Sequence, residues 1–210
     1  MRLVLASNNA KKLLELQTLF AGLPVQLVAQ SELRITEADE PHGTFVENAL
    51  AKARHAAALA GAPAIADDSG LCVDALGGEP GVASAHYAPA VPEEGADREQ
   101  RRARQDAANT ALLLQRMRDV PDRRARFVST LVALRHAHDP EPLIALGRWE
   151  LALLREPRGS GGFGYDPVVE VPTHGCSVAQ LETPVKNQIS HRALAARAMR
   201  SLMQEVWRLG

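Results

Sequence analysis

Residues 64–71 read AIADDSGL, an apolar run that ends on two adjacent carboxylates and then meets Ser69 and Gly70. The run is short, bounded and apolar, which marks a buried strand. Its two negative charges stand where the chain leaves the core for a Ser-Gly turn. Alternation along a strand sends Asp67 and Asp68 to opposite faces unless the backbone bends, so the two have different roles. One can cap the Ser69-Gly70 turn, while the other faces outward as a general base or magnesium ligand. Two solvated turn aspartates are the competing reading. Magnesium takes one or two protein carboxylates together with phosphate oxygens, which leaves room for Glu37, Asp39 or Glu40 from the upstream TEADEP stretch.

Upstream of this strand, the segment TFVENALAKARHAAALAG (44–61) reads as a helix. Thr44 and Glu47 stand in capping-box spacing, and Gly61 with Pro63 supplies the stop. RLVLA (2–6) and VQLVA (25–29) are further strands. SNNAKKLLELQTLFAG (7–22) between them is a helix with Leu13, Leu16 and Phe20 on one face. Downstream, the Gly-, Pro- and acid-rich stretch 77–99 reads as loop, and the Arg- and Ala-rich stretch around 98–118 as helix. RFVSTLVALRH and PLIALGRWELALL flank AHDPEP as an antiparallel hairpin. REPRGSGGFGYDP is a second glycine-rich loop, VVEV a strand, and SHRALAARAMRSLMQEVWRL a closing helix capped by Ser190. Strands and helices alternate early and a hairpin follows, so the fold class is α/β with a mixed sheet.

The 210 residues suffice for one large domain or two lobes sharing a sheet. With 46% hydrophobic residues and a formal net charge of -1, the chain lacks the charge bias of a nucleic-acid coat or acidic tail. Cys72 and Cys176 form neither a CxxC pair nor a disulfide framework, and a reducing cytoplasm is the expected setting. No apolar stretch is long enough for a signal peptide core or a membrane span.

Three further places carry chemistry. Ser7, Asn9 and Lys12 lie where the first strand enters its helix, a place where backbone N–H groups and a lysine can cradle phosphate. Helix capping by Ser7 or Asn9 with a solvated Lys12 is the alternative. In GSGGFGYD (159–166) the glycines let backbone approach a ligand, and Phe163 and Tyr165 offer flat faces for a base. No Gly-Lys-Ser/Thr follows, so it is not a P-loop. KNQISHR (186–192) sets Lys186, His191 and Arg192 around a helix N-terminus, where cations oppose the helix dipole unless an anion is present.

Taken together, SNNAKK, TFVENALAKA, ADDSGLCVDALGGEPGVASAHYA, GGFGYDP and KNQISHR resemble the inosine triphosphate pyrophosphatase family, the noncanonical purine nucleoside triphosphate pyrophosphatases of the dITP/XTP type. The match runs from Ser7 to Arg192. The resemblance implies an elongated mixed β-sheet with flanking helices, forming one domain (1–210) of two lobes around a central cleft, usually a homodimer. It implies magnesium-dependent hydrolysis of ITP, dITP and XTP to the monophosphate and pyrophosphate, with no nucleic-acid or membrane partner. By the same resemblance, Ser7, Asn8, Asn9, Ala10, Lys11 and Lys12 hold the triphosphate. Asp68 is the catalytic carboxylate residue and a metal ligand, with Asp39 or Glu40 beside it. Lys12 and Lys52 supply fixed positive charge, and Asp67 fixes the turn. Ser69 touches substrate, and Phe163, Gly164, Tyr165, Asp166, Lys186, His191 and Arg192 bind the nucleotide, Phe163 by stacking.

Three stretches depart from the family pattern. DEPHG replaces the usual Glu-Glu-Thr-Gly, and alignment without gaps favours Asp39 over Glu40 as the ligand. His86 stands in place of an arginine, and Thr183-Pro184 precede Lys186 where an acidic pair is usual. A Maf-like pyrophosphatase of modified pyrimidine nucleotides and a silent nucleotide-binding protein are the rival readings. FGYDP and ISHR speak against the first, and Asp68 with Lys12 against the second.

Overall fold

A computed structural model describes residues 1–90 and 97–209. Its strands are β1 (Arg2–Leu5), β2 (Gln26–Ala29), β3 (Ala64–Val73), β4 (Arg124–Leu134), β5 (Leu143–Leu153), β6 (Val169–Val171) and β7 (Cys176–Ser177). The helices are α1 (Ala10–Leu19), α2 (Phe45–Ala60), α3 (Arg98–Arg116), α4 (Thr183–Ile189) and α5 (His191–Val206). The strands form one seven-stranded sheet in the order β2-β1-β3-β4-β5-β6-β7, with β1 parallel to β2 and β3. β6 runs antiparallel to β5 and β7, so the sheet is mixed, as the sequence pattern predicts. Part of the predicted 77–99 loop, residues 91–96, lies outside the described residues; Gly81–His86 form a short 3-10 helix within it.

The chain divides into two compact units: Met1–Ser69, Ser129–Arg148 and Asn187–Gly210 form the first, and Gly70–Val128 with Trp149–Lys186 form the second. The boundaries fall inside β3, β4, β5 and α4.

Local signals account for the helix ends of the first unit. Asn9 caps α1, its Oδ1 accepting from the N–H groups of Lys11 at 3.0 Å and Lys12 at 3.3 Å. At α2, Thr44 Oγ1 accepts from the Glu47 N–H at 3.3 Å while donating to its carboxylate at 2.5 Å, and Gly61 closes the helix at φ +57°. Ser190 caps α5 through the Ala193 N–H.

Each face of the sheet then buries what the spacing presents. Leu16 of α1 and Phe20 at its C-cap pack with Ala195, Met199 and Met203 of α5 on Leu3, Leu5, Ile65 and Leu131. On the other face α2 buries Ala49, Ala53, Ala56 and Ala57 against Val4, Ala64, Ala66 and Val132, with Val46 and Leu50 packed beside them. Gly147 on β5 is where α5 comes closest: a Cβ there would lie 1.8 Å from the His191 carbonyl oxygen and 2.6 Å from the Ala195 nitrogen, both backbone atoms. Gly147→Ala is therefore expected to destabilise by about 2 kcal/mol or more and to lower Tm by roughly 6 °C in a thermal melt.

The predicted turn at Ser69-Gly70 does not form. β3 continues through Asp67, Asp68, Ser69 and Gly70 to Val73, and both aspartates lie mid-strand in the interior. The physical reason is that each carboxylate meets buried partners that only folding delivers.

Candidate active site

Asp67 and Asp68 point to opposite faces of β3, as alternation predicts. Asp67 is fully buried. Its Oδ2 pairs with Lys12 Nζ at 2.9 Å and with Arg192 Nη2 at 3.0 Å, and its Oδ1 accepts from Ser129 Oγ at 2.7 Å. Against the cost of burial, Arg192 and then Lys12 hold this carboxyl well below its usual range. Asp67 is thus an interior counter-ion rather than the fastener of a turn.

Arg192 engages its whole guanidinium inside the first unit. Nε and Nη2 donate to Asp67, Nη1 donates to Glu15 at 2.5 Å, and Nη2 also reaches Ser69 Oγ at 3.1 Å. The anion that compensates Arg192 in the first turn of α5 is therefore a pair of the chain's own carboxylates. His191 beside it is buried.

On the opposite face Asp68 meets Lys52, whose Nζ donates to Asp68 Oδ1 at 2.8 Å and to Glu40 Oε2 at 3.0 Å. One ammonium sits between two carboxylates. Lys52 stays firmly charged, because its two anionic partners outweigh its burial. The surplus negative charge falls on Asp68, which burial, with Glu40 adding to it, pushes up to about 6. Asp68 Oδ2 is buried and accepts no hydrogen bond.

Glu40 reaches this place because Asn48 of α2 clamps the preceding loop, accepting from the His42 N–H at 3.0 Å and donating to its carbonyl at 3.2 Å. The gap-free alignment favours Asp39; the structure brings Glu40 to Lys52 and leaves Asp39 exposed. Glu37 is exposed as well. At the start of α1, Ser7 Oγ accepts from the Asn9 N–H, so Ser7 and Asn9 do serve as local caps. Ala10 and Lys11 are exposed on the first turn, and Asn8 Oδ1 and Asn9 Nδ2 are buried polar atoms without a hydrogen-bond partner.

The second unit holds the other predicted residues. Asp166 is buried in the bend of the glycine-rich loop, where its Oδ2 accepts from the Phe163 N–H at 3.0 Å and from Lys186 Nζ at 2.7 Å. Gly162 at φ +75° makes room for it, since a Cβ there would lie 2.0 Å from the same oxygen. Lys186 Nζ lies 5.0 Å from the Phe163 ring centroid, which fixes the ring's neighbour as a cation. Gly164 donates its N–H to Asp106 Oδ2 at 3.0 Å.

Phe163 stays half-buried. Tyr165 is instead a buried strut, its hydroxyl donating to the Ser84 carbonyl at 2.9 Å, so only one of the two predicted flat faces remains. Asp106, Asn109, Glu15, Asn48 and Ser129 are absent from the sequence-based set. Polar Asp106 and Asn109 at i, i+3 among alanines of α3 were the available signal.

The chain matches the Ham1 family over residues 3–202. It is a Ham1 family protein. A Ham1 relative from Methylibium petroleiphilum, named dITP/XTP pyrophosphatase, is 68% identical over 207 residues, covering 99% of each chain. One of the same name from Leptothrix cholodnii is 64% identical over 211 residues and covers 100% of both. Among solved structures, a HAM1 protein from Coxiella burnetii superposes with a TM-score of 0.85 at 40% identity, covering 98% of this chain and 100% of its own. The Staphylococcus aureus Ham1 protein gives 0.81 at 34% identity, covering 97% and 98%.

Proposed function

We propose that this Ham1 protein hydrolyses the deaminated purine nucleotides ITP, dITP and XTP to the monophosphate and pyrophosphate. The observation that carries the reading is Asp68: a buried carboxylate with one oxygen on Lys52 and the other without a hydrogen bond, beside Glu40. Relatives named dITP/XTP pyrophosphatase at high identity support the substrate class.

The donor set suits magnesium. Two carboxylates, Asp68 and Glu40, are the number that ion takes when phosphate oxygens and water complete its shell, and Asp68 Oδ2 is an oxygen with no other claim on it. When bound, the ion supplies charge neutralisation on the phosphates and lowers the pKa of water. Asp68 orients or deprotonates the water that attacks the α-phosphorus. Lys52, buried between Asp68 and Glu40, balances their charge before the substrate arrives. Lys12, anchored on Asp67, offers a preset cation to the triphosphate, and the capped turn Ser7 to Lys12 offers Asn8 and Asn9 as polar partners.

In the second unit, Phe163 stacks on the base while Asp166 and Lys186 read its edge. Selectivity against ATP follows when groups matched to a 6-oxo purine leave adenine's amino group without an acceptor. Phe163→Ala is expected to raise KM for ITP about tenfold with kcat little changed, measured by steady-state kinetics. An unchanged KM removes Phe163 from the base site. We further read the enzyme as a cytoplasmic homodimer, in line with its free thiols and with the family resemblance.

The deciding experiment measures pyrophosphate release from ITP, XTP, dITP, ATP and GTP, each with magnesium and with EDTA. Magnesium-dependent release confined to the first three supports the reading. Release from none of them moves the weight to a pyrimidine substrate or to nucleotide binding without turnover.

A further inference from the structure

Outside these residues, the second unit carries a cavity of about 370 Å³ lined by Ala111, Leu114, Gln115, Arg118, Arg123 and Arg155. Three arginines are among its lining residues and no acidic residue is. Arg123 is structural. Its Nε donates to the Leu153 carbonyl at 3.0 Å, and its two terminal nitrogens donate to the carbonyls of Met117 and Leu154 at 2.5 Å each. It thereby closes the end of α3, where a cation is favoured.

That role does not extend to Arg118 and Arg155. Both are exposed at the rim, and neither makes an ion pair among the described residues. Their one mutual contact is a long 3.3 Å bond from Arg155 Nη1 to the Arg118 carbonyl. Neighbouring arginines behave differently, for Arg116 pairs with Glu79, Arg124 with Asp122 and Arg126 with Asp74. Burial and then the nearby Arg155 charge pull Arg123 below its usual value, so a like charge stands beside it.

We infer that this cavity binds a phosphoryl-bearing anion. Guanidinium forks match phosphate oxygens in pairs, and those of Arg118 and Arg155 lie here beside the structural Arg123 without a counter-ion among the described residues. The volume lies near the lower end of small-molecule sites, larger than one phosphate needs and suited to pyrophosphate or a nucleoside monophosphate. Ala111 and Leu114 supply an apolar wall for whatever carries the phosphoryl group, and Gln115 a neutral hydrogen-bonding one. The site is independent of the hydrolytic reaction proposed above.

Calorimetric titration of pyrophosphate, in EDTA, into the full chain and into Arg118→Ala/Arg155→Ala tests it. The wild type is expected to take up an equivalent that the double variant loses or binds at least about tenfold more weakly, while Tm and the kcat and KM for nucleotide stay unchanged. Arg118→Lys/Arg155→Lys, which keeps the charge but not the fork, is expected to fall between them. The same equivalent is expected to persist in Asp68→Asn, which separates this site from the catalytic one. Parallel titrations with inosine monophosphate and with inorganic phosphate distinguish a nucleotide occupant from an inorganic one. Identical isotherms for wild type and the double variant, or no equivalent beyond those the double variant retains, overturn the proposal.

Discussion

Asp68→Asn is expected to lower kcat for magnesium-dependent ITP hydrolysis by about a thousandfold while the protein gains thermal stability in EDTA at pH 8. The first effect follows because the variant removes charge needed in the transition state. The second follows from the position of Asp68. It is buried, it shares one lysine with Glu40, and its carboxyl is pushed up to about 6. A folded-state value above the unfolded one means that the native state binds more protons between about pH 4 and 6, so stability falls as pH rises through that window. Above it the ionised carboxylate costs about 1–3 kcal/mol, which asparagine does not incur. Lys52 keeps Glu40 as its partner in the variant. The Tm gain should therefore shrink as pH drops below about 5, where Asp68 is protonated in the folded state. Melts of both proteins at pH 8 and pH 4.5 read this directly, and a variant with near-normal turnover would remove Asp68 from the chemistry.

Asp67→Asn is expected to act in the opposite sense on stability. It leaves Lys12 without its carboxylate and Arg192 with Glu15 alone, and removing one partner from a buried ionic cluster costs about 3–5 kcal/mol. For a chain of this size that is a Tm loss of roughly 10 °C. The depressed carboxyl of Asp67 contributes stability above its unfolded value near pH 4, and this is lost as pH falls through the lower folded value. The difference between wild type and variant should thus persist from pH 8 down to about pH 5 and narrow only in stronger acid. Ser129→Ala, which removes one neutral hydrogen bond to the same carboxylate, should cost only about 1 kcal/mol. A Tm for Asp67→Asn within a degree or two of wild type would mean that Asp67 is solvated, contrary to its full burial.

The two aspartates also show how far sequence reading reaches. Their opposite directions are legible from alternation alone, whereas the turn expected of Asp67 does not form. The continuation of the strand past them is not legible. A run of Asp-Asp-Ser-Gly has little strand preference and reads as a turn, yet β3 passes straight through it. The reason is Arg192, 125 positions away, which together with Lys12 makes burial of Asp67 tolerable. Tyr165 is a similar case: as a residue type it offers a flat face, but a carbonyl at Ser84, 81 positions earlier, turns it into a strut. The short elements β7 and α4 escape sequence reading for a different reason, since two and seven residues carry too little periodicity to register.

The α/β class, the helix starts at Thr44 and Ser190, the apolar face of α1, and the family are all written in the order of the residues. They depend on caps and spacings that act within a few positions. Folding in three dimensions was needed to bring Glu40 rather than Asp39 to Lys52, to hold Arg192 between Asp67 and Glu15, and to leave Asp68 an oxygen without a hydrogen bond. Burying a charge is costly unless a counter-charge arrives with it, and which counter-charge arrives is a matter of packing between distant segments.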